Sequence, residues 1–328
     1  MMLSLHGQGI DQCVVMAPQA PRYQEIVAAG IRTAPEVLRI KFSPWQGFQL
    51  ARLIKHEKPT SIHCWMRRAA SLMPRWRQGP VIGWFGGYYE PKHFRRCSHF
   101  VGVTPDIVRH MRDKGVAADK AFYVPTFPDV KAEPAADRAN LHIPVHAKVA
   151  LALSRLHPKK GLDTLLLAAQ KLPDLYLWLA GDGPLRQELE QQAHQLGIID
   201  RVRFLGWRTD RGALLRAADV CVLPSRYEPF GTVILEAWAA GTPLVACASA
   251  GPQATITDGD NGLLIPIDHV DGLAVGLNRV LSDGSLRARL IANGYAKYVA
   301  EYTREAVTQR MLALYQALAQ GHSSVREK

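Results

Sequence analysis

The sequence predicts an α/β protein built from two doubly wound, Rossmann-like domains that face a central cleft. Three observations lead there. Short continuous apolar runs alternate with amphipathic segments of roughly 10–15 residues, the pattern of β-α-β units around a parallel sheet buried on both faces. The length, 328 residues, is too great for one ordinary domain and suits two. One stretch without a clear period, DVKAEPAADRANLHIPVHA at 129–147, separates the halves and reads as their linker.

In the first half the strand candidates are QCVVMA (12–17), VLRIKF (37–42), SIHCW (61–65), PVIGWF (80–85), HFVGV (99–103) and AFYVP (121–125), with helical stretches at 47–57 and 105–114. A doubly wound domain opens with its central strand, a glycine-rich turn and a helix. This chain begins inside that helix, with LSLHGQGID as its tail and QCVVMA as the second strand. Loss of a central strand would expose apolar surface and unpaired backbone. Either the true start lies upstream or the first domain is a reduced variant lacking its opening strand.

The second half is clearer. VALALS (149–154) leads through Arg155 and the turn HPKKG to a helix carrying Leu162, Leu165, Leu166 and Ala169. LYLWLAG (175–181) meets the turn GDGP and the charged helix LRQELEQQAHQLG. VRFLGW (202–207) precedes a helix through Leu214, Leu215 and Ala218, and DVCVLPS (219–225) precedes a helix from about Gly231 to Ala240 that stops at Gly241, with Pro243 beyond. PLVACAS (243–249) and GLLIPI (262–267) are the remaining strands.

Composition narrows the function classes. Hydrophobic residues make up 48% and charged residues 21%, which fits a soluble globular protein and excludes disorder and fibrous repeats. No apolar run approaches the length of a membrane span. The opening MMLSLHGQGIDQ lacks the charged start and apolar core of a secretion signal. Cys13, Cys64, Cys97, Cys221 and Cys247 stand far apart with no C-x-x-C pair, as reduced thiols in a cytosolic protein do. Of the net charge of +11, residues 1–140 hold +9 and residues 141–328 hold +2. The basic first half points to an anionic partner there: a phosphorylated acceptor, an acidic membrane surface or nucleic acid. Nucleic acid is the weakest of the three, because no reading motif or aromatic-interleaved basic run is present.

Two segments carry the chemistry. In SRYEPFGTVILEAWAAGTP (225–243), Glu228 follows a buried strand and Glu236 lies eight residues on, within the helix. The start of that helix offers unpaired N–H groups and the positive end of a dipole, so Phe230, Gly231 and Thr232 form an anion cradle flanked by two carboxylates. Carboxylates accept paired sugar hydroxyls, and the set therefore suits a sugar diphosphate. In SRLHPKKG (154–161), Arg155 ends a strand and Lys160 sits in the next turn. The fork of one and the point charge of the other are the usual pair for a diphosphate. The GDGP turn (181–184) needs only a tight strand-to-helix connection.

SRLHPKKGLDTLL, LAGDGPLR, RVRFLGW, LLRAADVCVLPSRYEPFGTVILEAWAAGTPLVA and TDGDNGLLIP resemble successive blocks of the retaining glycosyltransferases of the GT-B fold, family 4. The blocks come in family order and cover most of 149–268. The resemblance implies a nucleotide-diphosphate sugar as substrate, no cofactor, and a donor bound mainly to the second domain. By that likeness Glu236 would hold ribose hydroxyls and Glu228 the donor sugar's hydroxyls. Phe230, Gly231 and Thr232 would offer backbone contacts, Arg155 and Lys160 would neutralise the diphosphate, and Gly206, Trp207 and Arg208 would lie at the base. KPTSIHCWMRRAA resembles the family's "DIVHAH…A" strand and helix start, PVIGWFGGYY its "PVV-T-HG-Y" segment, and EYTREAVTQRMLALYQAL its closing helix.

The implied organisation is an acceptor-side domain over 1–140, a nucleotide-sugar domain over 141–305, and a helix over 306–328 crossing back to the first domain. Candidate acceptor-side residues are Arg67, Arg68, Gly86, Gly87, Tyr88 and Tyr89, with Arg95 and Arg96 as further cations. Two departures stand out. The glycine-rich loop after a first strand is missing, and Gly86 takes the position where the family often has a His beside the reacting sugar. His63 is a substitute for that His or a satisfied core residue.

The expected reaction is retaining transfer, of the hexosyltransferase type, from a nucleotide-diphosphate sugar to a hydroxyl of a glycan or lipid-linked acceptor of the cell-surface polysaccharide or lipopolysaccharide kind. Arg155, Lys160 and the 230–232 amides would stabilise the leaving group. No clustered His/Asp set argues for a bound divalent ion, so no metal is expected. The expected setting is cytoplasmic, with peripheral attachment to the inner face of the membrane as a further expectation. A non-catalytic sugar-nucleotide- or glycan-binding relative is the alternative, motivated by Gly86 and the missing strand.

Overall fold

The structure, a computed structural model, describes residues 1–38 and 45–326. The chain divides into two compact units, Met1–Pro125 with Arg304–Lys328, and Thr126–Thr303.

In the first unit α1 (Met2–Gly7) is followed by β1 (Cys13–Val14), α2 (Tyr23–Ala28) and β2 (Arg32–Thr33). After a 3-10 turn at Pro35–Leu38 come α3 (Gln46–Glu57), β3 (Ile62–Cys64), α4 (Arg67–Leu72) and β4 (Val81–Phe85). A second 3-10 turn (Pro91–Phe94) leads to β5 (His99–Gly102), α5 (Pro105–Asp113) and β6 (Ala121–Tyr123). The described strands form two sheets, a parallel β1–β2 pair and a parallel four-stranded sheet in the order β3-β4-β5-β6. Under the pair lie Val14, Ile26 and Ile31. Ile82, Phe85, Phe94, Val101, Ile107 and Met111 are buried around the larger sheet. The strand expected at 37–42 is not one where it is described: Pro35 presets the turn that takes in Val37 and Leu38, and residues 39–44 lie outside the described residues.

In the second unit β7 (Lys148–Leu153), α6 (Leu162–Gln170), β8 (Leu175–Ala180), α7 (Arg186–Gln195), β9 (Val202–Gly206) and α8 (Arg211–Ala217) form the first half. The second half is β10 (Val220–Leu223), α9 (Thr232–Ala240), β11 (Leu244–Cys247), α10 (Ala250–Thr255), β12 (Leu263–Ile265), α11 (Val270–Ser282) and α12 (Gly284–Glu301). All six strands are parallel, in the order β12-β11-β10-β7-β8-β9. Val149–Leu153 and the whole of β10 and β11 are buried, as their uninterrupted apolar sequence requires when helices cover both faces. The winding direction reverses between β7 and β10, and in open α/β sheets the crevice outside the strand ends at that point is where ligands bind.

The segment read as a linker packs against α8 of the second unit. The Ala136 amide donates to Ala213 O (3.0 Å), and Arg138 reaches Ala217 O (2.8 Å), Ala147 O (3.2 Å) and Asp219 (3.0 Å). These bonds draw residues from Thr126 onward into the second unit, so the division falls at Pro125 rather than at residue 140. The final helix, α13 (Arg304–Arg326), groups with the first unit, where the Tyr315 hydroxyl lies 2.7 Å from His63 Nδ1. Among the described residues the cysteines form no disulfide. Among the described residues no helix is long and apolar enough to cross a membrane.

Candidate functional site

The loops that leave β7 and β10 meet at the switch point, and both sequence segments singled out for chemistry lie on them. The β7 loop runs through Arg155 and His157 into a 3-10 turn, Pro158–Lys160, where His157 Nδ1 accepts from the Lys159 amide (3.2 Å). Three consecutive residues of this turn face three consecutive residues of the β10 loop. Arg226 Nη1 donates to Pro158 O (2.8 Å), the Tyr227 amide to Lys159 O (3.1 Å), and Lys160 Nζ to Glu228 Oε2 (2.5 Å). Gly161 makes the approach possible. Its φ is +62°, and a Cβ there would stand 2.1 Å from Pro224 O.

Arg226 anchors the latch from beneath. It binds Asp163 (2.6 and 2.8 Å) and Asp268 (2.7 Å) as well as the Pro158 carbonyl. The hydrogen bonds it donates to Asp163 and Asp268 raise its pKa, and the Arg226 bond holds the Asp268 carboxyl below its usual range. Lys160 and Glu228 are mostly buried, with 23% and 13% of their side chains exposed. Arg155 is exposed, and its guanidinium has no partner among the described residues. Its backbone is fixed by the GDGP turn: the Ser154 amide donates to Ala180 O (3.1 Å) and the Leu156 amide to Asp182 O (3.0 Å).

Gly231 is the residue immediately before α9, at φ +88°. The Glu228 carbonyl accepts from the Gly251 amide at 2.7 Å, which holds the cradle residues Phe230, Gly231 and Thr232 against the start of α10. Glu236, on the second turn of α9, is 2% exposed. Its Oε1 accepts from Arg211 Nη1 at 2.6 Å, while its Oε2 is buried with no partner. Burial pushes its pKa up; Arg211 opposes the shift and Asp129 adds to it. Ser225, at the end of β10, and Ser249, after β11, also bury hydroxyls without partners. Buried polar atoms without partners at strand ends are candidate contacts for a polar ligand.

Gly206, Trp207 and Arg208 lie at the end of β9, an edge strand. The Trp207 ring is 78% exposed. Arg208 is bound by Asp210 (2.5 and 2.8 Å), which raises its pKa, so its charge is already matched.

The acceptor-side candidates of the first unit do not form one cluster. Gly86, Gly87, Tyr88 and Tyr89 follow β4. The Tyr88 hydroxyl donates to Asp106, and Tyr89 stacks on Phe94 with ring centres 6.0 Å apart. Arg67 lines a separate groove with Arg95 and Arg96, in which Arg68 takes no part. His63 stacks on Trp65 (3.9 Å) and is bonded to Tyr315, and its Nε2 is buried without a partner. Burial lowers its pKa to about 3, so its ring is neutral near pH 7.

Sequence reasoning missed Arg211 and Arg226. Each meets its carboxylates across 25 or more residues of chain, and only the closeness of Arg226 to Glu228 in sequence hinted at a role.

Residues 135–297 match the family model described as glycosyl transferases group 1. The chain is 35% identical over 321 residues to the lipopolysaccharide core biosynthesis glycosyltransferase LpsE of Rhizobium meliloti, covering 95% of this chain and 92% of that one. It is 31% identical over 316 residues to LpsD of the same organism, which carries the same description, with 95% and 91% covered. Among solved structures, Anabaena HepE in complex with UDP and glucose superposes with a TM-score of 0.81 at 20% identity, over 97% of this chain and 95% of that one.

Proposed function

The chain belongs to the glycosyl transferases group 1 family and has the GT-B fold, and from that premise we propose that it transfers a sugar, with retention, from a nucleotide-diphosphate sugar to a hydroxyl of a lipopolysaccharide-core type glycan. The observation that carries the reading is the convergence of Lys160, Glu228 and the start of α9 at the switch point, with Glu236 Oε2 left unsatisfied nearby on the same helix.

In this reading the diphosphate lies against the α9 amides and draws on Arg155 and Lys160. The anion competes with Glu228 for the Lys160 ammonium, which frees the carboxylate to accept the donor sugar's hydroxyls. Glu236 Oε2 accepts a ribose hydroxyl, and the exposed Trp207 ring offers a face to the base. As the bond from the anomeric carbon to phosphate oxygen breaks, negative charge grows on that oxygen, where fixed cations and amides stabilise it without reorganising. The acceptor oxygen bonds to the anomeric carbon on the face the phosphate leaves, and its proton passes to the departing phosphate. No enzyme nucleophile is needed, and Glu228 acts by positioning. No metal enters the scheme. The first unit takes the acceptor, and the reaction runs at the cytoplasmic face of the membrane.

UDP-sugars are the first donors to try, since UDP is the nucleotide bound by HepE. The test is transfer to a truncated core oligosaccharide, with the anomeric configuration of the product read by NMR and with EDTA present throughout. Retention with undiminished rate in EDTA is expected. An inverted product sinks the mechanism, and a rate abolished by EDTA and restored by Mg²⁺ sinks the metal-free scheme.

A further inference from the structure

We infer that the first unit carries a binding groove for the phosphate of a phosphorylated saccharide, set between α4 and the Pro91–Phe94 turn. The groove is about 470 Å³ and is lined by Arg67 and Ser71 of α4 and by Lys92, His93, Arg95 and Arg96. The inference rests on the transferase reading, because it names the chemistry of the acceptor.

The groove's wall is anchored rather than loose. Gly83 of β4 has only hydrogen where a Cβ would come within 2.8 Å of Phe94 Cδ1 and 3.2 Å of Cys97 Sγ. The Phe94 ring therefore seats on the sheet with no exposure, and the Cys97 amide donates to Phe94 O at 2.7 Å. Lys92, Arg95 and Arg96 flank that buried ring in sequence and line the groove.

Its charge is one-sided. No Asp or Glu lines it, and Arg67, Lys92, Arg95 and Arg96 form no ion pair among the described residues. The nearest acid in sequence, Glu90, is bound to Lys114 at 3.2 Å. By contrast, Arg109 of the same unit is matched by Asp106, and Arg32 by Asp11 and Glu57. Four like charges facing one hollow repel each other until an anion enters. Three guanidinium forks and an ammonium supply more positive charge than one carboxylate can use, and they fit a phosphate with its near-double charge and three acceptor oxygens. A concave volume of this size fits a discrete sugar phosphate, whereas a flat lipid surface would engage a protruding face.

Equilibrium dialysis of radiolabelled glucose 6-phosphate against the full chain tests the idea, with UDP saturating so that the donor site is filled. The expected result is retention of glucose 6-phosphate but not glucose, weakened at least tenfold in Arg67→Ala/Arg95→Ala/Arg96→Ala and by high salt. The heat stability conferred by UDP should be unchanged in the variant; if the triple variant does not fold, Arg96→Gln replaces it, with a smaller loss expected. Equal retention by wild type and a folded variant overturns the groove, as does no retention by wild type. Charge-dependent binding seen only with phosphatidylglycerol vesicles overturns it in favour of a membrane surface. If UDP fails to stabilise the protein, the donor reading falls, while the dialysis still judges the groove by itself.

Discussion

Arg211 holds one oxygen of Glu236 and leaves the other bare: Nη1 stands 2.6 Å from Oε1, while Oε2 is buried with no partner. A cost attaches to this arrangement. A carboxylate in low dielectric with half its bonding capacity unmet is disfavoured as an ion, and burial accordingly raises its pKa. The same bare oxygen is what a ribose hydroxyl would satisfy, so the cost and the proposed binding have one origin.

Glu236→Gln should therefore stabilise the free protein while weakening donor binding. The sign follows from linkage. Because the folded pKa lies above the unfolded value, the ionisation penalty is absent below the unfolded pKa, grows as pH rises through the interval, and is complete above the folded pKa. Glutamine keeps an acceptor for Arg211 and has no such penalty. Its melting temperature should exceed that of wild type at pH 7, and the difference should vanish near pH 4. Calorimetric titration with UDP should show affinity lowered tenfold or more. A variant that is less stable at pH 7, or that binds UDP normally, removes Glu236 from the role.

Arg155→Ala and Lys160→Ala should each lower turnover a hundredfold or more, on the order of 3 kcal/mol of lost charge stabilisation on the leaving group. Lys160→Ala also leaves Glu228 unpaired in a mostly buried position, so a fall in stability could masquerade as a catalytic effect. Lys160→Ala/Glu228→Gln separates the two, since it removes the lone charge and should restore the melting temperature without restoring turnover. Near-normal turnover in either single variant contradicts the assignment.

How much of this was legible beforehand depended on distance along the chain. The second sheet could be read almost strand by strand, because β7, β10 and β11 are continuous apolar runs closed by turn residues and their helices repeat with a clean period. Arg155, Lys160 and Glu228 could be named from local spacing, since each ends or follows such a run. The pairing of Lys160 with Glu228 could not, because it depends on β7 and β10 being neighbours in the sheet. Glu236 could be placed on the helix by its spacing from Glu228; its burial comes from the packing of α9 against α8 and α12, which no local pattern encodes. In the first unit β1 and β2 are two residues each, too short to carry a period, and Pro18 and Pro21 interrupt the segment between them.

Arg226 is the residue by which positioning and charge can be told apart. It sits beneath the Pro158–Lys160 turn, bonded to Pro158 O, Asp163 and Asp268, and the proposal gives it no contact with substrate. Arg226→Gln should lower kcat about tenfold through a misplaced Lys160, with KM for the acceptor unchanged. Stability should fall by about 1–2 kcal/mol at neutral pH, discounted because all three partners are partly exposed. The Asp268 pKa is lowered by this bond, so the stabilisation is present above its unfolded value and is lost as pH falls through the depressed folded value. The deficit relative to wild type should shrink below about pH 4. A deficit that stays constant down to pH 2 excludes the Arg226–Asp268 bond as its source.

Gly161→Ala tests whether the two loops must touch. The left-handed backbone at φ +62° costs an L-residue about 1 kcal/mol, and the added carbon would fall 2.1 Å from Pro224 O, too close for either backbone to yield slightly. The β7 loop must therefore swing away from the β10 loop, breaking the bonds of Arg226, Tyr227 and Glu228 to the 158–160 turn together. The expected variant is folded but less stable by about 2–4 kcal/mol, with transfer reduced at least as far as in Lys160→Ala. Adding Lys160→Ala to it should cost little more, because the charge has already left the site. Full additivity of the two losses, measured as kcat/KM in the double variant, shows that Lys160 still acts when the latch is open and separates the contact from the catalysis.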